Sequence, residues 1–328
     1  MAGPEACMTT LANVLLLLGG FGALYFGAEW LVRGAARIAA AMGTSPVVVG
    51  LTLVSLGTSA PELVVGVIAT LNDEGGLLVG NVLGSNLANI GLILGGTALI
   101  KPLSVADRVI SRDVPIMIVI TILAFPFVLD LEVDWGDGLI LLALLVAYVS
   151  FTFWTEDDEI RDIHEGVGTY AGDEEDGEQD ILRNLGLVVI GAAGLGVGGK
   201  AIVDSATYLS GVLGASPEVI GLTIVAVGTS LPELVTSIVA AARKQADIAV
   251  GNIVGSNIFN IAAVMGASAL VRGYPVDQSI LTLQLPAVLI LSVLVWPVVA
   301  SARRVRRSEG LLLLLVYFGL MGWITLGS

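Results

Sequence analysis

The sequence predicts an all-α membrane protein of ten transmembrane helices, arranged as two inverted-topology repeats of five helices each. Three observations carry that expectation: a composition too apolar for water, a series of bilayer-length apolar runs, and a pair of motifs that occurs twice. Hydrophobic residues make up 55% of the chain and charged residues 13%, with a mean hydropathy of +0.92. A water-soluble domain carries more charge than this. The plainest apolar runs are 11–32, 114–129, 139–154, 280–300 and 311–326. About 20 residues of helix cross the roughly 30 Å hydrocarbon core of a bilayer. Lipid offers no hydrogen-bond partner to the backbone, so such runs must be helical.

Ten spans fit the hydropathy, at 11–41, 44–71, 76–100, 109–130, 136–154, 182–211, 215–242, 247–270, 278–300 and 310–327. The first reads as a span rather than a signal peptide, since no Lys or Arg precedes Leu11 and the run is too long for a signal core. Cys7 is the single cysteine, which leaves no internal disulfide framework. Orientation follows from the cations, which concentrate in cytoplasmic loops. With the N-terminus outside, thirteen of the fifteen basic residues fall at cytoplasmic ends; Arg272 lies on an outer loop and Lys200 within a span. The expectation is a prokaryotic plasma-membrane protein with both termini outside.

The chain divides into a first repeat (1–154), an acidic cytoplasmic linker (155–181) and a second repeat (182–328). The linker holds Glu156, Asp157, Asp158, Glu159 and the cluster Asp173, Glu174, Glu175, Asp176. A solvated connection accounts for it more simply than a regulatory cation-binding loop, because acidic runs are usually disordered. On either side stands one pattern in two copies. GTSPVVVGLTLVSLGTSAPELVV begins at Gly43 and GASPEVIGLTIVAVGTSLPELVT at Gly214; GNVLGSNLANI begins at Gly80 and GNIVGSNIFNI at Gly251. A constant offset of 171 aligns both blocks without a gap, with close to half the positions identical. Five spans per repeat is odd, so the second copy enters the membrane in the opposite sense. Inverted repeats of this kind place a transport site near the bilayer midplane, where the halves meet.

Glu62 and Glu233 sit at equivalent positions inside apolar spans, where an ionised side chain costs about 2.5–3.5 kcal/mol or more. No basic residue lies close to either in sequence, so a bound cation is the natural counter-charge. The alternative is a pair of protonated, hydrogen-bonded glutamates. Gly57-Thr58-Ser59-Ala60-Pro61 and Gly228-Thr229-Ser230-Leu231-Pro232 precede them and cannot stay regular helix, because proline removes a donor and clashes with the preceding turn. Carbonyls of Thr58 and Thr229, hydroxyls of Ser59 and Ser230, and two carboxylates make an all-oxygen donor set. Hard cations take such ligands, calcium six to eight of them, and the lack of nearby His or Cys argues against zinc or copper.

Asn81, Ser85 and Asn89 recur every four residues and share one helix face, as do Asn252, Ser256 and Asn260. Ser85, Asn89, Ser256 and Asn260 read as further ligands. For Asn81, Asn86, Asn252 and Asn257, polar packing between helices explains the pattern equally well. Glu29 with Arg33 and Lys200 with Asp204, each spaced i,i+4, read as structural pairs.

The paired GTSAPE and GTSLPE segments, each followed by a G-S-N-x-x-N segment, resemble the alpha repeats of the sodium/calcium exchangers in the cation/calcium antiporter superfamily. The resemblance covers nearly the whole chain outside the linker. It implies alternating access, with calcium and sodium ions competing for overlapping sites at Glu62 and Glu233. Thr58 and Thr229 would lend backbone oxygens, with Ser59, Ser230, Ser85, Ser256, Asn89 and Asn260 completing the sites. The first and sixth helices would slide as the gate. Several relatives carry Asp where this sequence has Asn260, so the site here has two carboxylates rather than three. Its partners would be calcium, sodium and the lipid bilayer, with no nucleic acid, no cofactor, and a monomer as the working unit. Proton/calcium exchange is the nearest alternative, and a passive cation channel a more distant one. No nucleophile, base or cofactor motif supports an enzyme.

Overall fold

The computed structural model describes residues 4–155, 181–212 and 228–327. The acidic run expected to link the repeats, and the first half of the expected seventh span, lie outside those residues. In chain order come α1 (Pro4–Met42), then α2 (Pro46–Thr58) and α3 (Ala60–Leu71), which form one span bent by 44°. They are followed by α4 (Gly75–Ile100), α5 (Val109–Val128), α6 (Trp135–Trp154), α7 (Ile181–Val212), α8 (Leu231–Ala242), α9 (Ala246–Val271) and α10 (Ile280–Ala300). The helix α11 (Arg307–Gly327) closes the chain. Among the described residues eight helices are long and apolar enough to cross a bilayer, and the bent pair makes a ninth span. The short α8 is the described half of the expected seventh. The protein is an all-helical, polytopic membrane protein.

Local chemistry sets several helix starts. Pro46 opens α2 behind Ser45, whose hydroxyl accepts from the Val48 amide, and proline at the first turn forfeits only an amide that would be orphaned anyway. Asp134 and Asp137 form a reciprocal capping box at α6. At 39 residues, α1 extends roughly 58 Å at 1.5 Å per residue. That is longer than a bilayer core, so it must tilt or protrude.

The centre is built from α4 and α9. Every residue of α9 from Ile248 to Phe259 is buried, as expected for a helix that is apolar or small on all sides. Around them the outer helices show apolar side chains outward, among them Leu15, Leu18 and Phe21 on α1 and Leu315 and Phe318 on α11. Two short antiparallel pairs tie the halves together. In one, β1 (Leu103–Ser104) pairs with β4 (Arg304–Val305). In the other, β2 (Glu132–Val133) pairs with β3 (Tyr274–Pro275). Because successive spans alternate in direction, these pairs lie at opposite membrane faces. Lys101, Arg243, Lys244, Arg303, Arg304, Arg306 and Arg307 share the face of the first pair, the basic face. Asp73, Glu74, Asp130, Glu132, Asp134 and Asp277 lie on the other, the acidic face. There Arg272 is held by Asp73 at 2.9 Å.

The duplication extends into backbone detail. Asp73 and Lys244, 171 residues apart, turn the chain into α4 and α9 with φ of 63° and 62°. A π-helical turn spans Ala88–Leu94 in α4 and Asn260–Met265 in α9. Another pair opens α5 at Val109–Asp113 and α10 at Ile280–Gln284.

Candidate functional site

Ser59, at the break between α2 and α3, and Ser230, immediately before α8, have nearly the same backbone, φ −83°, ψ 2° and φ −89°, ψ 5°. Immediately after each, Glu62 and Glu233 occupy the first turn of α3 and α8. A helix start carries partial positive charge, which favours a carboxylate there. Both glutamates are 1% exposed. The Ser59 hydroxyl donates to Glu233 Oε1 at 3.3 Å, so the first repeat reaches directly to the carboxylate of the second. Oε2 of each glutamate is buried with no hydrogen-bond partner among the described residues.

The other expected residues divide by what they bond. Thr58 donates to Asn252 Oδ1 at 3.0 Å and lies 3.3 Å from the Ser256 hydroxyl, all three buried. Thr229, half-buried, donates to Asn81 Oδ1 at 3.4 Å. Ser230 donates to Ser85 at 3.5 Å. The hydroxyls of Ser256 on α9 and Ser85 on α4 therefore meet those of Thr58 and Ser230, just before the glutamate helix of the opposite repeat. Asn89 and Asn260 are fully buried; neither amide atom of Asn89 has a partner among the described residues, and Asn260 Oδ1 also has none. The π-turn bearing Asn260 packs on α3, and the one bearing Asn89 packs on α8. Each glutamate helix is thus met by an asparagine turn from the other repeat.

Buried polar atoms are normally hydrogen-bonded, and each exception needs a reason. Here two carboxylate oxygens and two amide oxygens without partners come from four elements related in pairs by the repeat. Hard cations are satisfied by such oxygens, and among the described residues no lysine or arginine is bonded to either glutamate.

Some features went unread in the sequence. Glu29 and Arg33 do pair, at 2.9 Å. However, Glu29 also takes Nε and Nη2 of Arg243, the residue after α8, with the Nε contact at 3.0 Å. Nothing in the local spacing marks a partner 214 residues away. At the repeat-equivalent place Lys200 and Asp204 pair at 2.9 Å with side chains 76% and 60% exposed. The repeats are therefore arranged asymmetrically. Val239 on α8 is 7% exposed while its equivalent Ile68 on α3 is 53%; α1 lies along α8, and α7 touches α3 much less. The π-turns were also unforeseen, and such turns often mark functional positions.

A family model described as sodium/calcium exchanger protein matches residues 12–154 and 183–326. The chain belongs to the sodium/calcium exchanger family. Its two matched segments coincide with the two repeats. Among curated relatives, a sodium/calcium exchanger of Methanosarcina acetivorans, MaX1, is 31% identical over 93% of this chain and 96% of its own. Inner membrane protein YrbG of Escherichia coli is 37% identical over 81% of this chain and 82% of its own. Among solved structures, the sodium-calcium exchanger NCX_Mj superposes with a TM-score of 0.80 at 31% identity, covering 95% of this chain and 99% of that one. This exchanger-family chain is therefore a membrane cation transporter rather than an enzyme, with the fold of NCX_Mj.

Proposed function

We propose that this chain is a secondary antiporter that moves calcium against sodium through one central site at Glu62 and Glu233. The observation that carries the reading is the pair of glutamates, 1% exposed, related by the repeat, and each with an unpartnered carboxylate oxygen. Two carboxylates balance one calcium ion or two sodium ions. Asn89 and Asn260 contribute neutral amide oxygens. Thr58 and Thr229 contribute backbone carbonyls, since their hydroxyls are already engaged with asparagines. Ser59, Ser230, Ser85 and Ser256 complete the donor set. Without a cation the two carboxylates repel each other in a medium that screens poorly. The empty protein then resists switching, which couples the two fluxes.

The asymmetry supports a state in which both glutamates are occluded, 1% exposed, and the two repeats are unequally covered. With α1 packed along α8 near the basic face and Ile68 of α3 exposed, opening of the site toward the acidic side would require less rearrangement than opening toward the basic side. By the positive-inside rule the acidic side is external. Movement of α1 and α7 to the mirrored arrangement would expose the site to the cytoplasm. The names of MaX1 and NCX_Mj favour sodium as the coupling ion.

Calcium-45 uptake into proteoliposomes distinguishes the couplings. Uptake is expected from sodium-loaded vesicles and not from potassium-loaded ones. Uptake driven by a proton gradient alone would replace sodium with protons, and uptake needing no gradient would indicate a channel.

A further inference from the structure

Asn260 offers a neutral amide at a buried position, and an amide has one end that attracts a cation and one that repels it. Which end faces the site must therefore be fixed. The structure contains the means in Asn86 of α4, which is 1% exposed. Asn86 Nδ2 lies 3.1 Å from the backbone carbonyl oxygen of Asn257. A carbonyl only accepts, so the atom of Asn86 facing it must be the NH2 group. That assignment leaves Asn86 Oδ1 toward Asn260, whose Nδ2 donates to it at 3.1 Å. Asn260 then has its oxygen, unpartnered, at the opposite end. Two hydrogen bonds, anchored on a backbone atom that cannot turn, set the polarity of the asparagine.

We propose that Asn86 is a positioning residue that holds Asn260 oxygen-first for the transported cation. The proposal rests on the central-site reading above and adds a member to it that touches no ion. The second repeat does not reciprocate. Asn257, the equivalent of Asn86, donates to its own helix at Ile253 O, 2.7 Å away. Its Oδ1 has no partner among the described residues, nor has either amide atom of Asn89. One asparagine of the pair is therefore locked, and the other has no such lock among the described residues, so the two neutral ligands are not interchangeable.

The test compares the calcium concentration for half-maximal sodium-dependent uptake with the maximal rate. Asn86→Leu, close in volume, is expected to raise the half-saturating concentration about tenfold, the weight of one buried hydrogen bond. The maximal rate should stay within about twofold. In Asn260→Asp both side-chain oxygens are alike and no lock is needed, so adding Asn86→Leu should raise the half-saturating concentration no further. A rise of equal size in both backgrounds would mean that Asn86 merely supports packing. No rise in either would mean that Asn260 needs no orientation, and each result overturns the proposal. If Asn86→Leu does not fold, Asn86→Ala, which adds no apolar bulk, carries the same comparison. Glu62→Gln is run alongside: unchanged uptake there would remove the central site itself, a failure separate from that of the lock.

Discussion

Glu62→Gln and Glu233→Gln each lower sodium-dependent calcium uptake by about 100-fold to 1,000-fold, while the protein still purifies as a folded species. The substitution conserves shape and removes one of the two negative charges. A doubly charged ion then sits in the membrane interior with only half its charge matched. Breaking a buried ionic pair by removing one partner costs about 3–5 kcal/mol, and each 1.4 kcal/mol is a factor of ten. Folding should survive, because neither Oε2 has a hydrogen-bond partner among the described residues, so no described partner is orphaned. Ser59→Ala serves as the graded comparison. It deletes one hydrogen bond to Glu233 at 3.3 Å and should cost tenfold or less. Normal uptake by either glutamine variant would show that the paired carboxylates are structural.

The second large effect is expected at the seam between α1 and α7. Gly20 and Gly27, seven residues apart, face α7, and Gly191 and Gly198, also seven apart, face α1. A Cβ on Gly191 would come within 2.6 Å of the Leu31 amide nitrogen and 2.7 Å of the Gly27 carbonyl oxygen. One on Gly27 would lie 2.8 Å from the Gly191 carbonyl oxygen, and one on Gly198 2.8 Å from that of Gly20. The obstructing atoms are backbone, so the helices themselves would have to part. Small-residue seams are how membrane helices approach closely. Gly191→Ala should cut the maximal transport rate tenfold or more and lower the melting temperature measurably. Gly194→Ala is the control, since its Cβ would make an ordinary 3.4 Å contact with Gly27 Cα. Equal behaviour of the two variants in uptake and thermal unfolding would show that close packing of this seam does not govern transport.

The repeat, the break in the second span and the two glutamates were legible because each depends on local chemistry. A glycine-threonine-serine run before proline disfavours a straight helix, and here the helix bends at Ser59. A carboxylate in an apolar run is conspicuous without any neighbour. The 171-residue offset then paired the copies. What stayed hidden depends on chain segments meeting across the repeats. The spacing of Asn81, Ser85 and Asn89 puts them on one face of a regular helix, and Asn81 and Ser85 meet Thr229 and Ser230 of the other repeat. It gave no sign that a π-turn begins at Ala88, because one extra residue per turn changes phase without changing composition. Asn86 read equally well as packing or as ligand. Its part emerged only once Asn257 and Asn260 were seen to meet it. Likewise the spacing found Arg33 for Glu29 but could not find Arg243.

The two strand pairs have a consequence for how the polypeptide must be connected. One joins the loop after α4 to the loop after α10, and the other joins the loop after α5 to the loop after α9. Each seam stitches the first repeat to the second, and they do so at opposite faces of the membrane. The halves are therefore fastened to each other independently of the peptide chain that runs between them. Two separate genes, one ending near Thr155 and one beginning near Ile181, should yield fragments that co-purify and transport when expressed together. That outcome would make the single chain a matter of equal dosage and simultaneous insertion rather than of architecture. Fragments that fail to associate would instead make the covalent connection a structural part of the transporter.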